Sequence, residues 1–173
     1  MLMHEKRKNK KYPLLPFSQL VFDMTRWAPW VYMFEVRWCW HGQKKELQRI
    51  ESAILQVLNH HPVFNMYVDT HGYQSYQSSP ATMKGQYYTV RLWIKGEDVY
   101  CRFRWSRILG DGKSIYIFFE NIIRAYKGEL LPSDEYLTYL DEQSHIQSSA
   151  RYAESKAWLE TTFADVQVPV RPL

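Results

Sequence analysis

A chain of 173 residues with 46% hydrophobic and 16% aromatic content is long enough for one domain with a real core, and its 23% charged residues exclude a disordered polymer. The formal net charge is +4, yet residues 1–12 carry Lys6, Arg7, Lys8, Lys10 and Lys11 against Glu5 alone, which leaves the remainder formally neutral. The basic character therefore belongs to an end segment, and the folded body offers no nucleic-acid surface by charge. No apolar run approaches the ~18 residues of a membrane span, and no apolar stretch of signal-peptide type follows the basic segment. The expectation is a cytoplasmic protein without a membrane partner. Cys39 and Cys101 both fall in strand-like runs and form no C-x-x-C pair, so buried free thiols are expected.

Residues 1–12 read as a flexible basic tail. Residues 17–30 contain Leu20, Val21, Phe22, Met24 and Trp27, a short helix or packed coil closed by Pro29. Residues 31–40 alternate, with Tyr32, Phe34, Val36, Trp38 and Trp40 on one side and Glu35 and Arg37 on the other, the pattern of a strand with one buried face. After a turn at His41-Gly42, Leu47, Ile50, Ile54, Val57 and Leu58 recur at helical spacing over residues 44–59, and Pro62 stops that helix. Residues 63–68 and 73–77 read as strands around a turn at 69–72, and residues 78–85 as a loop.

Residues 87–94 and 99–107 form the clearest hairpin, joined by Lys95-Gly96-Glu97-Asp98. Its second strand alternates Val99, Cys101, Phe103 and Trp105 with Tyr100, Arg102 and Arg104. Continued, that alternation puts Ser106 on the polar face and Arg107 on the apolar one. Asp111 or Ser114 caps the next helix, which buries Ile115, Phe118, Phe119, Ile122 and Tyr126 and ends at Gly128 in the C′ position. Residues 130–134 are a linker, residues 144–163 a last helix with Ile146, Ala150, Ala153 and Ala157 on one stripe, and residues 166–173 an extended end with Pro169 and Pro172. Antiparallel strands with helices on one side give an α/β (α+β) two-layer sandwich.

Several motifs resemble one known family, in the right order and over nearly the whole chain after the tail. Tyr12-Pro13-Leu14-Leu15-Pro16-Phe17-Ser18-Gln19 is similar to the opening motif of nonribosomal peptide synthetase condensation domains. His60-His61-Pro62-Val63-Phe64 resembles the segment before their second core strand, and Gly110-Asp111-Gly112-Lys113-Ser114 the place of their His-His-x-x-x-Asp-Gly signature. Leu131-Pro132, residues 136–141, and residues 152–163 with Trp158 continue the pattern. The resemblance implies a chloramphenicol-acetyltransferase-like lobe, and only the N-terminal one: residues 13–165 form the lobe and 166–173 a connector toward a second. It implies a second lobe, a carrier protein or a tailoring enzyme as partner. It implies no cofactor bound directly, and phosphopantetheine-linked substrates on a carrier protein where catalysis persists. An isolated lobe should also expose the apolar surface that meets its mate, so self-association is a further expectation.

The signature itself departs from the family. Ser106 and Arg107 stand where the resemblance expects two histidines, of which the second would position or deprotonate the acceptor amine. Imidazole exchanges a proton near neutral pH; a guanidinium stays protonated and cannot act as a general base. Ser106, Arg107, Asp111 and Gly112 are thus degenerate motif positions with no assignable catalyst. The family's signature Asp is implied to pair with an Arg whose matching position here is Asn65, so Arg107, four residues before Asp111, is the expected replacement partner. His60-His61 at a helix end is expected to be structural, with an imidazolium favouring the helix dipole. His41, His60, His61 and His71 show no metal-ligand spacing and no Cys partner, so no metal site is expected. The seven tryptophans are read as core and lobe-interface packing, and Asp134, Glu135, Asp141 and Glu142 as a solvated acidic patch.

Overall fold

The computed structural model describes residues 10–25, 27–28, 32–77 and 79–164. The chain falls into two compact units, one through Leu137 and one from Thr138. In the first, strand β1 (Lys11–Pro13) precedes helix α1 (Pro16–Thr25), strand β2 (Met33–Trp40) and helix α2 (Leu47–His60). Strands β3 (Met66–Val68), β4 (Tyr73–Tyr76), β5 (Tyr88–Lys95) and β6 (Asp98–Ser106) follow, then helix α3 (Gly112–Lys127). Helix α4 (Tyr136–Gln147) begins at the boundary, and α5 (Ala150–Thr162) lies in the second unit, where Trp158 meets Phe163 edge-on at 6.3 Å.

The strands form two antiparallel three-stranded sheets rather than one, in the orders β1-β4-β3 and β2-β6-β5. Mixed α/β class and antiparallel pairing are as expected. The split into two sheets was not visible in strand patterning, because it depends on which distant strand each one meets. In the larger sheet Phe34 pairs with Trp105, Val36 with Phe103 and Trp38 with Cys101, so the apolar side chains of both strands fall on one face. That face packs against α2 and α3 through Ile50, Ile54, Val57, Phe103, Trp105, Phe118 and Ile122, all buried. Phe64 sits among the rings, edge-on to Trp105 at 5.4 Å and to Tyr88 at 5.1 Å, while Phe103 stacks on Phe118 at 4.6 Å. Such pairs add about 0.5–1.5 kcal/mol each beyond their area. The other face is charged: Glu35 bonds Arg37 at 2.8 Å and faces Arg104 across the ladder. A smaller cluster of Leu14, Val21, Phe22, Val68 and Ile108 joins α1 to the small sheet.

Several sequence expectations need correction. The tail does not extend to residue 12, because Tyr12 is fully buried in β1 and Lys11 bonds Asp69. Residues 63–65 are not strand: Pro62 opens a 3-10 turn over Pro62–Asn65 that drives Phe64 into the core, and β3 starts only at Met66. The last helix is two helices. Ser149 adopts an extended conformation and its hydroxyl accepts the Tyr152 N–H at 3.2 Å, a local cap that restarts the chain as α5. Of the two cysteines, Cys101 is buried and free as expected, whereas Cys39 lies half-exposed on the opposite sheet face. Among the described tryptophans only Trp105 is a fully buried core residue; Trp38 and Trp40 pack partly, and Trp27, Trp93 and Trp158 are exposed. Residues 1–9, Pro29, Trp30 and the 166–173 connector lie outside the described residues. Among the described residues, no helix is long and apolar enough to cross a membrane.

Candidate functional site

The signature segment is where β6 ends and α3 begins. Ser106 N–H donates to Tyr87 O at 2.8 Å and Arg107 N–H to Tyr32 O at 2.9 Å, so the strand is pinned on both sides up to its last residue. The chain then turns: Leu109 N–H reaches Ser106 O at 3.0 Å and Gly110 N–H reaches Arg107 O at 3.3 Å. Ile108 anchors the turn in the smaller apolar cluster, and its carbonyl accepts the Ser18 hydroxyl of α1 at 3.1 Å. Gly110 is required for space. A Cβ there would stand 2.7 Å from the Ser114 side chain and 3.0 Å from Trp105. At Gly112 a Cβ would meet nothing within 4 Å. The first glycine of the segment is therefore the constrained one, although the motif directs attention to the second.

Of the two capping candidates, Asp111 is the N-cap. Its Oδ1 accepts from Ser114 N at 2.9 Å and from the Ser114 hydroxyl at 2.8 Å, while Ser114 Oγ accepts the Asp111 N–H at 3.3 Å. This reciprocal capping box satisfies donors that a helix start would leave open. The backbone and hydroxyl bonds from Ser114 hold the Asp111 carboxyl below its ordinary value. Gly128 ends the helix in the left-handed conformation at φ 78°, as its position implied.

Arg107 does not pair with Asp111. Among the described residues they form no ion pair; the guanidinium lies 4.5 Å above the Phe34 ring, on the apolar side that strand alternation indicated. A planar, weakly hydrated cation is accommodated there by the ring quadrupole, and Asp111 is already engaged by Ser114. Asn65 ends the 3-10 turn, where its carbonyl accepts Gln77 N–H at 2.8 Å, and no hydrogen bond joins it to Arg107 or Asp111. The expected three-residue pairing is thus not assembled. Ser106 lies on the polar face by register, opposite Met33, but is only 2% exposed. It borders a cavity of ≈ 460 Å³ with Thr25, Met33, Tyr87 and Arg104. Its hydroxyl oxygen takes the Ile108 N–H at 3.3 Å, and among the described residues no imidazole or carboxylate bonds to it. An unassisted serine hydroxyl is a weak nucleophile.

The histidine pair has a different task. Asn121 Nδ2 donates to His61 Nε2 at 2.9 Å, so the ring proton sits on Nδ1 and donates to Asp134 Oδ2. Asp134 Oδ1 accepts Tyr136 N–H at 2.8 Å, and His60 Nε2–H donates to Pro132 O at 2.6 Å. Burial pushes the Asp134 carboxyl up, but the hydrogen bonds it accepts from His61 and Tyr136 outweigh it, and the net shift is downward. Asp134 therefore belongs to a half-buried polar network rather than a solvated patch. The network satisfies Asn121, a buried polar side chain of α3, and fastens the end of α2 to the linker. Sequence reading missed it because the partners lie 60 and 73 residues apart.

No known family profile matches the chain, and no curated protein matches it. Solved structures do. The starter condensation domain of the rhizomide synthetase RzmA superposes with a TM-score of 0.67 at 14% identity, covering 87% of this chain and 47% of that one. The EpoB cyclization-docking bidomain from Sorangium cellulosum gives 0.72 at 13% identity, over 95% of this chain and 41% of that one. The first condensation domain of the calcium-dependent antibiotic synthetase, in complex with a substrate analogue, gives 0.63 at 14% identity, over 94% and 49%. The chain therefore has the fold of nonribosomal peptide synthetase condensation domains. It spans about half the length of the solved chains it matches or less, consistent with the N-terminal lobe that its motif order implies.

Proposed function

We propose that the chain is a catalytically impaired, condensation-domain-like N-terminal lobe of nonribosomal peptide synthesis, acting in the cytoplasm through protein contacts. The observation that carries this reading is Arg107. At the position where the resemblance calls for an imidazole, a permanent cation lies over Phe34 and has no proton to exchange near neutral pH. His61 offers no substitute, since Asp134 and Asn121 occupy both of its ring nitrogens. A second lobe is the partner that the half-length match supports, with a carrier protein or tailoring enzyme as the further contact. Helix α1 supplies a surface for it: Phe17, Leu20 and Met24, spaced along one side, are 51%, 53% and 41% exposed, and Trp27 just beyond is 88% exposed.

One observation favours a second reading. The ≈ 460 Å³ cavity beside Ser106 has room for a thioester-bearing arm, so a split acyl- or peptidyl-transferase completed by the second lobe is the alternative. It would form an amide or ester from a phosphopantetheine-linked substrate on a carrier protein, with no cofactor bound by this chain directly. Co-expression with the product of the neighbouring reading frame, followed by pull-down, tests the contact reading. A stoichiometric complex weakened by Leu20→Glu supports it; no complex, with the chain monomeric at high concentration and silent to a hydrophobic dye, refutes it.

A further inference from the structure

The end of β2 brings three side chains of different chemistry together outside the signature segment. Cys39 is the next-to-last residue of β2 and His41 opens the turn after it, and their side chains lie on the same side. That side is the polar face of the large sheet, opposite the core. Asp98 opens β6 and arrives beside them because Cys39 pairs with Tyr100 and Trp40 with Val99. Cys39 Sγ lies 3.6 Å from His41 Nδ1, and His41 Nδ1 lies 3.2 Å from Asp98 Oδ2. All three candidate ligand atoms lie within 4.8 Å of one another.

We propose that Cys39, His41 and Asp98 form a three-ligand site for a borderline-soft divalent cation, zinc by preference. Bond lengths of about 2.3 Å to sulfur and about 2.0–2.2 Å to nitrogen and oxygen, at tetrahedral angles, set ligand-to-ligand distances near ~3.5 Å for S···N and ~3.4 Å for N···O. The two separations above, 3.6 and 3.2 Å, already match those edges. The sulfur–carboxylate edge lies within 4.8 Å. Thiolate, imidazole and carboxylate together suit zinc rather than magnesium or calcium, which prefer all-oxygen sites. Two anionic ligands balance a doubly charged ion, and the Cys39 proton leaves to solvent on binding.

The support around the ligands is fixed before any ion arrives. Asp98 Oδ1 accepts Gly42 N–H at 2.8 Å, which leaves Oδ2 toward His41. Lys44 N–H donates to Glu97 O at 2.9 Å, tying the turn after β2 to the hairpin that carries Asp98. The Lys44 ammonium is drawn to Glu97 at 3.4 Å rather than to the cluster. Outer contacts of this kind orient ligands and sustain affinity. Cys101 does not compete: it is buried on the opposite face, and burial pushes its thiol up to about 12. With three protein ligands, the fourth coordination position remains open to water or an exogenous donor. That arrangement is shared by catalytic zinc sites, whereas structural sites are closed by four protein ligands.

Cobalt(II) titration of the full, chelator-treated chain tests the site, since cobalt takes tetrahedral zinc positions and reports a bound thiolate by a charge-transfer band. The expected result is one cobalt per chain, the band present, displacement by zinc, and one proton released per ion. Cys39→Ala should abolish the band, and His41→Ala and Asp98→Asn should each weaken binding by about tenfold or more. Circular dichroism should be unchanged for Cys39→Ala and His41→Ala, since neither side chain is part of the apolar core. The proposal is overturned by absence of a thiolate band, or by stoichiometry and affinity that survive in folded Cys39→Ala and His41→Ala.

Discussion

Replacing Asp111 separates the two roles its neighbourhood suggests. If Asp111 serves as the N-cap of α3, what matters is an acceptor oxygen 2.9 Å from Ser114 N and 2.8 Å from the Ser114 hydroxyl. Asn provides that acceptor and Ala does not. Loss of an N-cap costs about 1 kcal/mol (range roughly 0.5–2), and Asn caps about as well as Asp. Asp111→Ala should therefore lower the unfolding free energy by about 1 kcal/mol, or roughly 2–4 °C in Tm for a domain of this size. Asp111→Asn should stay within a few tenths. Urea unfolding followed by far-ultraviolet circular dichroism resolves the difference. Arg107→Ala should cost about 0.5–1 kcal/mol from its contact with Phe34, additively with Asp111→Ala. The account fails if Asn proves as damaging as Ala and the double-mutant cycle shows coupling above ~0.5 kcal/mol, because Arg107 and Asp111 would then be acting as an ion pair.

Other outcomes follow from the same structure. Gly110→Ala should destabilise by about 1–3 kcal/mol, since its Cβ has no space beside Ser114 and Trp105, whereas Gly112→Ala should be neutral or stabilise by up to about 1 kcal/mol; paired thermal melts check both. His61→Ala should cost about 1–3 kcal/mol by leaving Asn121 and Asp134 without their shared partner, seen as a lower urea midpoint at unchanged slope. Asp69 is held down to about 2, first by the Lys11 hydrogen bond and then by the Tyr73 N–H. Its folded value lies below its unfolded one, so its stabilisation is complete above the ordinary carboxylate range and fades as pH falls from about 4 toward about 2. Carboxyl-carbon NMR should show Asp69 titrating near that low value, and Lys11→Ala should move it back up.

The parts of the fold legible in the sequence were those with a local cause. Alternation from Phe34 to Trp40 and from Val99 to Trp105 fixed which faces are buried, and Gly128 marked the end of α3. The helical spacing of Ile50, Ile54, Val57 and Leu58 located α2. Where tertiary contacts or a single cap decided, reading failed. Phe64 is pulled inward by rings from β5, β6 and α3, which makes 62–65 a tight turn despite its apolar character. Ser149 breaks what periodicity made one helix. At the signature, the substitution of Ser106 and Arg107 was plain, but their partners were not. Arg107 was expected to find the nearest acid in sequence and instead lies over Phe34, brought beside it by the β2–β6 pairing. His41 reads as a turn residue with no cysteine partner; Cys39 meets it at the end of β2, and Asp98 becomes a neighbour only through that same register.

The most direct test of the functional account is a condensation assay. The chain, combined with the product of its neighbouring reading frame, is mixed with loaded donor and acceptor carrier proteins, and amide or ester product is measured by mass spectrometry. A complex should form, and wild type and Arg107→Ala should both give only the background rate. Product formed well above background by the wild-type chain, and lost on replacing Arg107 or Ser106, would contradict the account and identify a working transferase half.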